Sequence, residues 1–247
     1  MPDIHTGYAI LILLGLVLMA LLPTTSHFPN AQSKRAYYRM QLITAAGAVL
    51  GAKLAVMVGD AHWPLRPFDD WHALLVSGRS IAGALLFGFI TVEIAKPLLK
   101  YEIPPNDRFA INLALTIAVG RIGCVLAGCC RGIPYNGAFA TSVGGVSRFP
   151  AQLLEVLFHL SMAAAFYVLW RRKILFARLF ALYLVSYGLF RFVSEFWRDT
   201  GKVFGGLSGY QLIAFLMILT GCFALVLRRT SSQPVHWAKW RTHDSRA

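Results

Sequence analysis

Residues 178–199 read RLFALYLVSYGLFRFVSEFWRD, and this stretch decides the fold class. It is apolar over most of its length, and about 20 such residues cross a hydrocarbon layer about 30 Å thick. The stretch therefore predicts a membrane-spanning helix. It also carries Arg191, Glu195 and Arg198, and an ionisable side chain at mid-membrane costs roughly 2.5–3.5 kcal/mol unless it is paired or functional. The same stretch thus indicates a polar site inside the membrane.

The composition of the whole chain agrees with this fold class. Of the 247 residues, 57% are hydrophobic and 14% are charged, whereas soluble domains average about 25% charged residues. This excludes a disordered protein, a nucleic-acid-binding domain and an ordinary cytosolic enzyme. Hydropathy predicts an all-α, polytopic integral membrane protein with a seven-helix domain over residues 1–227 and a basic cytoplasmic tail over 228–247. The predicted spans are 7–22, 40–58, 80–98, 109–127, 150–170, 178–197 and 210–227.

The distribution of charge predicts the orientation in the membrane. The chain has 24 Lys and Arg against 11 Asp and Glu, a formal charge of +13. Fifteen of the basic residues fall in loops 23–39, 96–108 and 171–178 and in the tail after residue 227, and basic loops favour the cytoplasmic side. The opening MPDIHTG lacks the basic residues of a signal peptide. We therefore expect the first span to be retained, the N-terminus outside and the C-terminus inside.

The charges within the sixth span lie on one face. Arg191 and Glu195 are four residues apart and Glu195 and Arg198 are three apart, so a helix places all three side chains together. Apolar and aromatic neighbours surround this stripe, which must face protein or a water-filled cavity. The stripe has two interpretations. It is either a fixed ion pair that locks two helices, or an arrangement in which Glu195 holds one arginine and leaves another free for an anion such as phosphate.

Two further spans carry polar groups. The sequence VGRIGCVLAGCCRG at 119–132 places Arg121 among four glycines, which let helices or a ligand approach closely. The sequence SRFPAQLLEVLFHL at 147–160 places Gln152, Glu155 and His159 on one stripe. Polar side chains from three helices are therefore expected to converge in the outer third of the membrane. This arrangement suits a phospholipid head group whose acyl chains remain in lipid.

These segments resemble the prolipoprotein diacylglyceryl transferase family. GRIGCVLAGCCRG is similar to the family signature G-R-x-G-N-F-x-N-G-E-x-x-G, and RFPAQLLE is similar to R-H-P-S-Q-L-Y-E. YGLFRFVSEFWRD resembles Y-G-x-x-R-x-x-x-E-F-x-R-x-P/D, and GGLSGYQ resembles the G-x-x-M-G-Q that follows it. SGRSIAGALLFG and GAKLAV resemble the earlier segments G-G-M-S-F-H-G-G-L-I-G and G-G-R-x-G-Y. The resemblance covers about residues 40–215, in the family's order.

The resemblance implies an enzyme of the bacterial cytoplasmic (inner) membrane. Its reaction would transfer a diacylglyceryl group from phosphatidylglycerol to the lipobox cysteine thiol of a preprolipoprotein, or to another thiol acceptor, with glycerol phosphate leaving. Neither a metal, a cofactor nor a nucleic acid is expected. The expected catalytic residues are Arg121, Arg191, Tyr187, Glu155 and Cys129. The expected substrate-binding residues are Arg198, Glu195, Gln152, Gly120, Gly123, Arg148 and Lys53.

The sequence departs from the family pattern at several polar positions. Ala82 stands where the family has a histidine that is often proposed to assist thiol deprotonation. The other departures are Cys124 for Asn, Ala127 for Asn, Cys129 for Glu, Phe149 for His and Lys53 for Arg. The arginines are kept, but the usual candidate base is lost. Glu155, His159 and a cysteine are the remaining candidates for the base.

Three of the four cysteines cluster in the sequence, as Cys124, Cys129 and Cys130. The cluster has four interpretations: a structural disulfide, small packing residues, a zinc site with His159 as a further ligand, or a reactive thiol whose pKa the arginines lower. In the last case Cys129 is a candidate covalent nucleophile. Cys222 is expected to be an apolar packing residue.

Two rival functions follow from these departures. One is a phospholipid-dependent transferase with the same donor pocket and a different acceptor, using Cys129 or Cys130. The other is a catalytically inactive lipid-binding or transport protein, which Ala82 suggests.

Overall fold

The computed structural model describes residues 10, 11, 13–15, 17, 31–59, 80–99, 107–202 and 205–230. Within these residues, six helices are long and apolar enough to cross a membrane. They are α1 (Ala31–Gly59), α2 (Ile81–Leu98), α3 (Asp107–Ala127), α4 (Ala151–Arg171), α5 (Leu179–Ser194) and α6 (Gly209–Thr230), with a 3₁₀ turn over Glu195–Trp197 after α5. A hairpin of β1 (Thr141–Val143) and β2 (Val146–Arg148) connects α3 to α4. The prediction of a polytopic helical membrane protein is confirmed.

The described helices number six, where the sequence predicted seven spans. These six match the predicted spans from 40–58 onward. Most of the first predicted span, 7–22, lies outside the described residues, as does the predicted tail from residue 231 onward. The second span was predicted too short, because α1 begins at Ala31. The basic residues before residue 40 were read as a loop, but Ala, Gln, Lys and Arg are all good helix formers.

The bundle is built from three pairs of helices that are consecutive in the sequence. Helix α1 packs on α2, α3 on α4, and α5 on α6, and α6 also touches α1 and α2. Glycines allow the closest of these contacts. A side chain on Gly83 would overlap the backbone of Gly51 and the side chain of Ala55. The first pair therefore depends on small residues, as helix pairs in lipid commonly do.

The outer surface of the bundle is apolar. Side chains on the outward faces are strongly exposed, for example Leu42 at 73% and Phe223 at 65%. Large apolar surfaces of this kind are rare in water-soluble monomers. Together with the length of the helices, they place the bundle in lipid.

One end of the bundle joins the segments predicted to face the cytoplasm. The carboxylate of Asp107, at the start of α3, accepts hydrogen bonds from the backbone N–H groups of Ala177 and Leu179 at 2.6 and 3.0 Å. Arg228, near the end of α6, donates to the carbonyl of Ala177 at 2.8 Å and to Glu93 of α2 at 2.6 Å. These contacts bring together three of the four segments predicted to share one side, and they include no residue of the fourth, 23–39. Which compartment they face stays a prediction.

Candidate active site

The site forms at the opposite end of the bundle, where the chain leaves α3 and α5. The backbone N–H of Ile133 donates to the carbonyl of Trp197 at 3.0 Å, and that of Asp199 donates to the carbonyl of Arg131 at 3.1 Å. These bonds tie the segment after α3 to the segment after α5. Gly132 is required there, because a side chain would overlap the carbonyl of Phe149. The hairpin and these two segments together form a cap over one end of the helices.

Glu155 of α4 lies at the centre of the site and is fully buried. Its Oε1 accepts a hydrogen bond from the hydroxyl of Tyr187 at 2.6 Å and lies 2.7 Å from Nη2 of Arg121. Its Oε2 accepts from Nη1 of Arg198 at 3.0 Å. The carboxylate therefore connects α3, α4 and α5 with the segment after α5. Because both oxygens already accept short bonds, Glu155 is well placed to position the arginines, and its role as a base stays a prediction.

Glu195 forms a second carboxylate centre beside the first and is also fully buried. Its Oε2 lies 2.9 Å from Nη2 of Arg191 and 3.8 Å from Nε of Arg198. Its Oε1 accepts from the hydroxyls of Thr200 at 2.6 Å and Ser208 at 3.1 Å. Arg198 thus lies between the two carboxylates, and the two centres form one network.

The network bears on the two interpretations of the charged stripe, a fixed ion pair or one arginine left free. Arg191 and Arg198 both contact a carboxylate, as does Arg121 of α3, so neither arginine of the stripe is free of an ion pair. The three guanidinium groups carry one more charge than the two carboxylates, so the buried network has a net charge of about +1. Arg121 Nε, Arg191 Nη1 and Arg198 Nε are buried and have no hydrogen-bond partner among the described residues. The spare positive charge and the spare donors together suit an anion with several oxygens.

The inner side of the site is an aromatic stack. The rings of Tyr183 and Tyr187 stack with centroids 6.1 Å apart, and Phe158 stacks on Phe190 at 4.3 Å. Nδ1 of His159 lies 2.8 Å from the Tyr183 hydroxyl, and its Nε2 lies 4.0 Å from Glu155 Oε1. His159 is therefore a buried group beneath the carboxylate, on the side away from the cap.

The structure brings the three clustered cysteines together. Their sulfur atoms all lie within 4.8 Å of one another, and Arg121 Nη1 lies 3.9 Å from Cys124 Sγ. All three are free thiols, so the structure contains no disulfide among them. Hydrogen bonds from the thiols of Cys124 and Cys129 lower the pKa of Cys130, and the guanidinium groups of Arg121 and Arg198 lower it further. His159 is not part of this group, contrary to the zinc arrangement suggested by the sequence.

Other predicted residues lie around this centre. Gln152 donates to the carbonyl of Cys129 at 2.7 Å. Arg148 donates to the carbonyl of Gly132 and to Asp199, both at 2.9 Å. Both residues therefore hold the cap in place.

The two predicted glycines and the lysine have different surroundings. Gly120 precedes Arg121 on α3 and faces open space where a side chain would lie. Gly123 is buried on the same helix. Lys53 is half-buried on α1. It follows Ala52, whose carbonyl accepts from the backbone N–H of Ser80 at this same end of the bundle.

Four residues of the site were not singled out from the sequence. Thr200 and Ser208 complete the bonds to Glu195. The side-chain oxygen of Gln211 accepts from the backbone N–H of Ser208 at 2.8 Å, and the ring of Tyr210 lies 5.5 Å from the Arg191 guanidinium carbon. Ser208, Tyr210 and Gln211 belong to the GGLSGYQ segment, which the resemblance had already marked without assigning roles.

Comparisons with known proteins agree with this geometry. The family model of prolipoprotein diacylglyceryl transferase matches residues 3–227. A phosphatidylglycerol–prolipoprotein diacylglyceryl transferase of Clostridium tetani is 29% identical, over 92% of this chain and 94% of its own length. One from Streptococcus pyogenes is 28% identical over 90% of both chains. A second Clostridium protein, from Clostridium perfringens, is 25% identical over 87% of this chain and 88% of its own. Because the family model matches residues 3–227, this chain belongs to the prolipoprotein diacylglyceryl transferase family.

Proposed function

We propose that this protein is a transferase that moves a diacylglyceryl group from phosphatidylglycerol to the cysteine thiol of a prolipoprotein. One observation carries the proposal: a buried network of three arginines and two carboxylates with one spare positive charge and spare N–H donors. The printed names of the relatives support the same substrates. The lipobox of the acceptor and a location in the bacterial cytoplasmic (inner) membrane are part of this proposal.

The network suits the donor lipid in its ground state. A phosphate diester carries one negative charge, which balances the spare charge of the network. Arg121, Arg191 and Arg198 each offer a buried N–H group without a partner among the described residues, and guanidinium groups bind phosphate oxygens strongly. The acyl chains would remain against the apolar outer faces of the helices, and the open space beside Gly120 gives the glyceryl group room.

The same network favours the transition state further. The acceptor thiol loses its proton to solvent, and the thiolate sulfur forms a bond to the glyceryl carbon while the carbon–oxygen bond to phosphate breaks. The bonding pair leaves with the phosphate, whose charge changes from one negative to two. A fixed positive site attracts the growing charge more strongly than the starting diester, which is the condition for catalysis. Glycerol phosphate is the leaving group.

The remaining residues of the site act on these arginines or beside them. Glu155 and Glu195 hold the guanidinium groups in place, and the hydroxyl of Tyr187 donates to Glu155. Gln152 and Arg148 hold the cap against the site. Lys53, on α1 at the same end, and Gly123, two residues after Arg121 on α3, complete the proposed lining of the donor pocket.

The test uses the purified full chain in vesicles that contain labelled phosphatidylglycerol, with a peptide that carries the lipobox cysteine. We expect a lipidated peptide and one released glycerol phosphate per transfer. Arg191→Ala and Arg121→Ala should each reduce the rate by about 100-fold or more, the usual cost of removing one stabilising donor. Arg172→Ala is the matched control, since Arg172 is exposed at the other end of the bundle.

Three results would contradict the proposal. The first is lipid binding without turnover, which indicates a lipid carrier. The second is glycerol phosphate release with no lipidated peptide, which indicates a different acceptor. The third is equal activity of Arg191→Ala and Arg172→Ala, which would remove the arginine network from the mechanism.

A further inference from the structure

The thiol group of Cys124, Cys129 and Cys130 is not explained by the proposed phosphate chemistry. None of the three belongs to the arginine–carboxylate network, although the group borders on Arg121. In the described part of the chain, it is the one set of three or more histidine, cysteine or acidic residues whose ligand atoms converge closely enough to hold a metal ion. The remaining cysteine, Cys222, lies exposed on α6, away from this group.

The backbone holds the three thiols together by a specific turn. Gly128 ends α3 with a φ of +62°, and the backbone N–H of Cys129 then bonds back to the carbonyl of Cys124 at 3.2 Å. Cys130 follows with a φ of +57°, a left-handed conformation that residues other than glycine rarely adopt. Gln152 and Arg131 donate to the carbonyls of Cys129 and Gly128. Strained backbone that neighbours hold in place is often found at ligand sites.

We propose that Cys124, Cys129 and Cys130 bind a thiophilic divalent cation, with Zn²⁺ as the first candidate, and leave its fourth coordination position open. In a tetrahedral site with Zn–S bonds of about 2.3 Å, the sulfur atoms are about 3.8 Å apart. The sulfurs here lie within 4.8 Å of one another, so they would have to approach by at most about 1 Å. Side-chain rotations provide movements of that size.

The charge of the surroundings favours this occupant. Three thiolates and one divalent cation carry one net negative charge, and Arg131, which follows Cys130 and donates to the carbonyl of Gly128, supplies a positive charge from outside the arginine network. Within the described residues, no histidine or acidic side chain joins the three sulfurs as a fourth ligand. Cys129 is half-buried and Cys130 is exposed, so the fourth position is accessible from outside the bundle. Three protein ligands with one open position are typical of catalytic zinc sites.

The open coordination position could bind the acceptor thiol. This role of the metal in the reaction rests on the proposed function. The acceptor thiol displaces a water from the cation and loses its proton to solvent, because a coordinated thiol is deprotonated. The thiolate sulfur then forms its bond to the glyceryl carbon, the carbon–oxygen bond breaks, and phosphate leaves with the bonding pair. The cation stays divalent throughout. A metal-bound thiolate would remove the need for a base at the position of Ala82, and it revises our expectation that no metal takes part.

The first experiment measures metal binding alone, on the purified full chain. We expect about one Zn²⁺ per chain, and after chelation and addition of Co²⁺ we expect the near-ultraviolet absorption of cobalt–thiolate bonds. Cys129→Ser and Cys130→Ser should each weaken Co²⁺ binding by more than about tenfold, the lower bound seen for outer partners of metal sites. Cys222→Ser is the matched control and should bind normally. Less than about a tenth of an equivalent of Zn²⁺ with no cobalt–thiolate band, or an unchanged band in Cys130→Ser, would overturn the site.

A second measurement tests the open position and keeps the two proposals separate. A peptide with the lipobox cysteine should shift the Co²⁺ spectrum, and the same peptide with serine should not. If both peptides leave the spectrum unchanged, the cation does not bind the acceptor. Metal binding without lipid transfer contradicts the proposed function and leaves the site intact. Transfer at full rate by metal-free protein contradicts the role of the metal and leaves the proposed function intact.

Discussion

Glu155 shows how single buried charges determine the site. It is fully buried, and its two oxygens contact Arg121, Arg198 and the hydroxyl of Tyr187 at 2.6–3.0 Å. A buried carboxylate is tolerated in a membrane interior only with such partners. The arginines in turn depend on it, since without Glu155 their charges would lack compensation.

Replacement of Glu155 should therefore be costly. Glu155→Gln leaves three guanidinium groups with one carboxylate, and loss of one partner of a buried pair costs about 3–5 kcal/mol. We expect a large fall in the thermal unfolding temperature of the purified protein in detergent. Glu93→Gln is the control, because Glu93 also pairs with two basic residues but is 37% exposed. Similar shifts for the two variants would show that burial does not set the cost.

Two tyrosines of the aromatic stack differ in the partner of their hydroxyl group. Tyr187 donates to a carboxylate at 2.6 Å, whereas the Tyr183 hydroxyl lies 2.8 Å from Nδ1 of His159. Hydrogen bonds to charged groups contribute about 1.5–3 kcal/mol and neutral ones about 0.5–1.5 kcal/mol. Tyr187→Phe should therefore lower stability more than Tyr183→Phe, measured by thermal unfolding of both variants in one detergent. The opposite order would mean that Tyr187 contributes through its ring alone.

At the scale of the helices, glycines have two different roles. Gly83 lies where α1 and α2 touch, and a side chain there would overlap Gly51 and Ala55. Gly120 faces open space on α3. The two glycines therefore allow a direct comparison of packing with ligand access.

The same substitution should have opposite effects on stability at these two positions. Gly83→Ala gains about 1 kcal/mol of helix propensity but overpacks the contact, which typically costs about 1–3 kcal/mol, so we expect a less stable protein. Gly120→Ala gains the propensity without a clash, so the fold should be as stable or more stable while lipid transfer slows. Unfolding temperatures and transfer rates of the two variants check this. A stable Gly83→Ala protein would contradict the observed packing of α1 on α2.

At the scale of the whole molecule, the two ends differ in chemistry. One end holds the cap, the arginine network and the thiol group, and the other holds Asp107, Glu93 and the basic residues at the ends of α4 and α6. A peptide acceptor reaches a site near one surface from the compartment on that side. The orientation of the bundle therefore decides which compartment supplies the acceptor.

Labelling from each side measures this orientation. We expect Ser142→Cys, exposed in the hairpin, to react with a membrane-impermeant maleimide added to spheroplasts, and Arg172→Cys to react only in inverted vesicles. Labelling is compared with that of the parent protein, because the native cysteines are retained. Arg172→Cys labelled in spheroplasts would reverse the predicted orientation.

The sequence by itself determined the class of fold and singled out most residues of the candidate site. The positions of the spans followed from local hydropathy, because about 20 consecutive apolar residues are enough to predict a membrane-spanning helix, whatever the rest of the chain contains. Arg121, Arg191 and Glu195 were found for the same local reason, as charges inside apolar segments. The span was predicted to begin at residue 40, but α1 begins at Ala31, because the charged residues between these positions also form helices.

Only the tertiary structure decided which groups meet. Glu155 pairs with Arg121 and Arg198, which lie on other segments of the chain, and no periodicity in the sequence encodes such a choice. The thiol group likewise depends on a left-handed turn after α3 that brings Cys130 back toward Cys124. Hydropathy places each residue at a depth in the membrane, but pairing depends on the rotation and approach of whole helices. Those are set by the packing of side chains that are distant in the sequence.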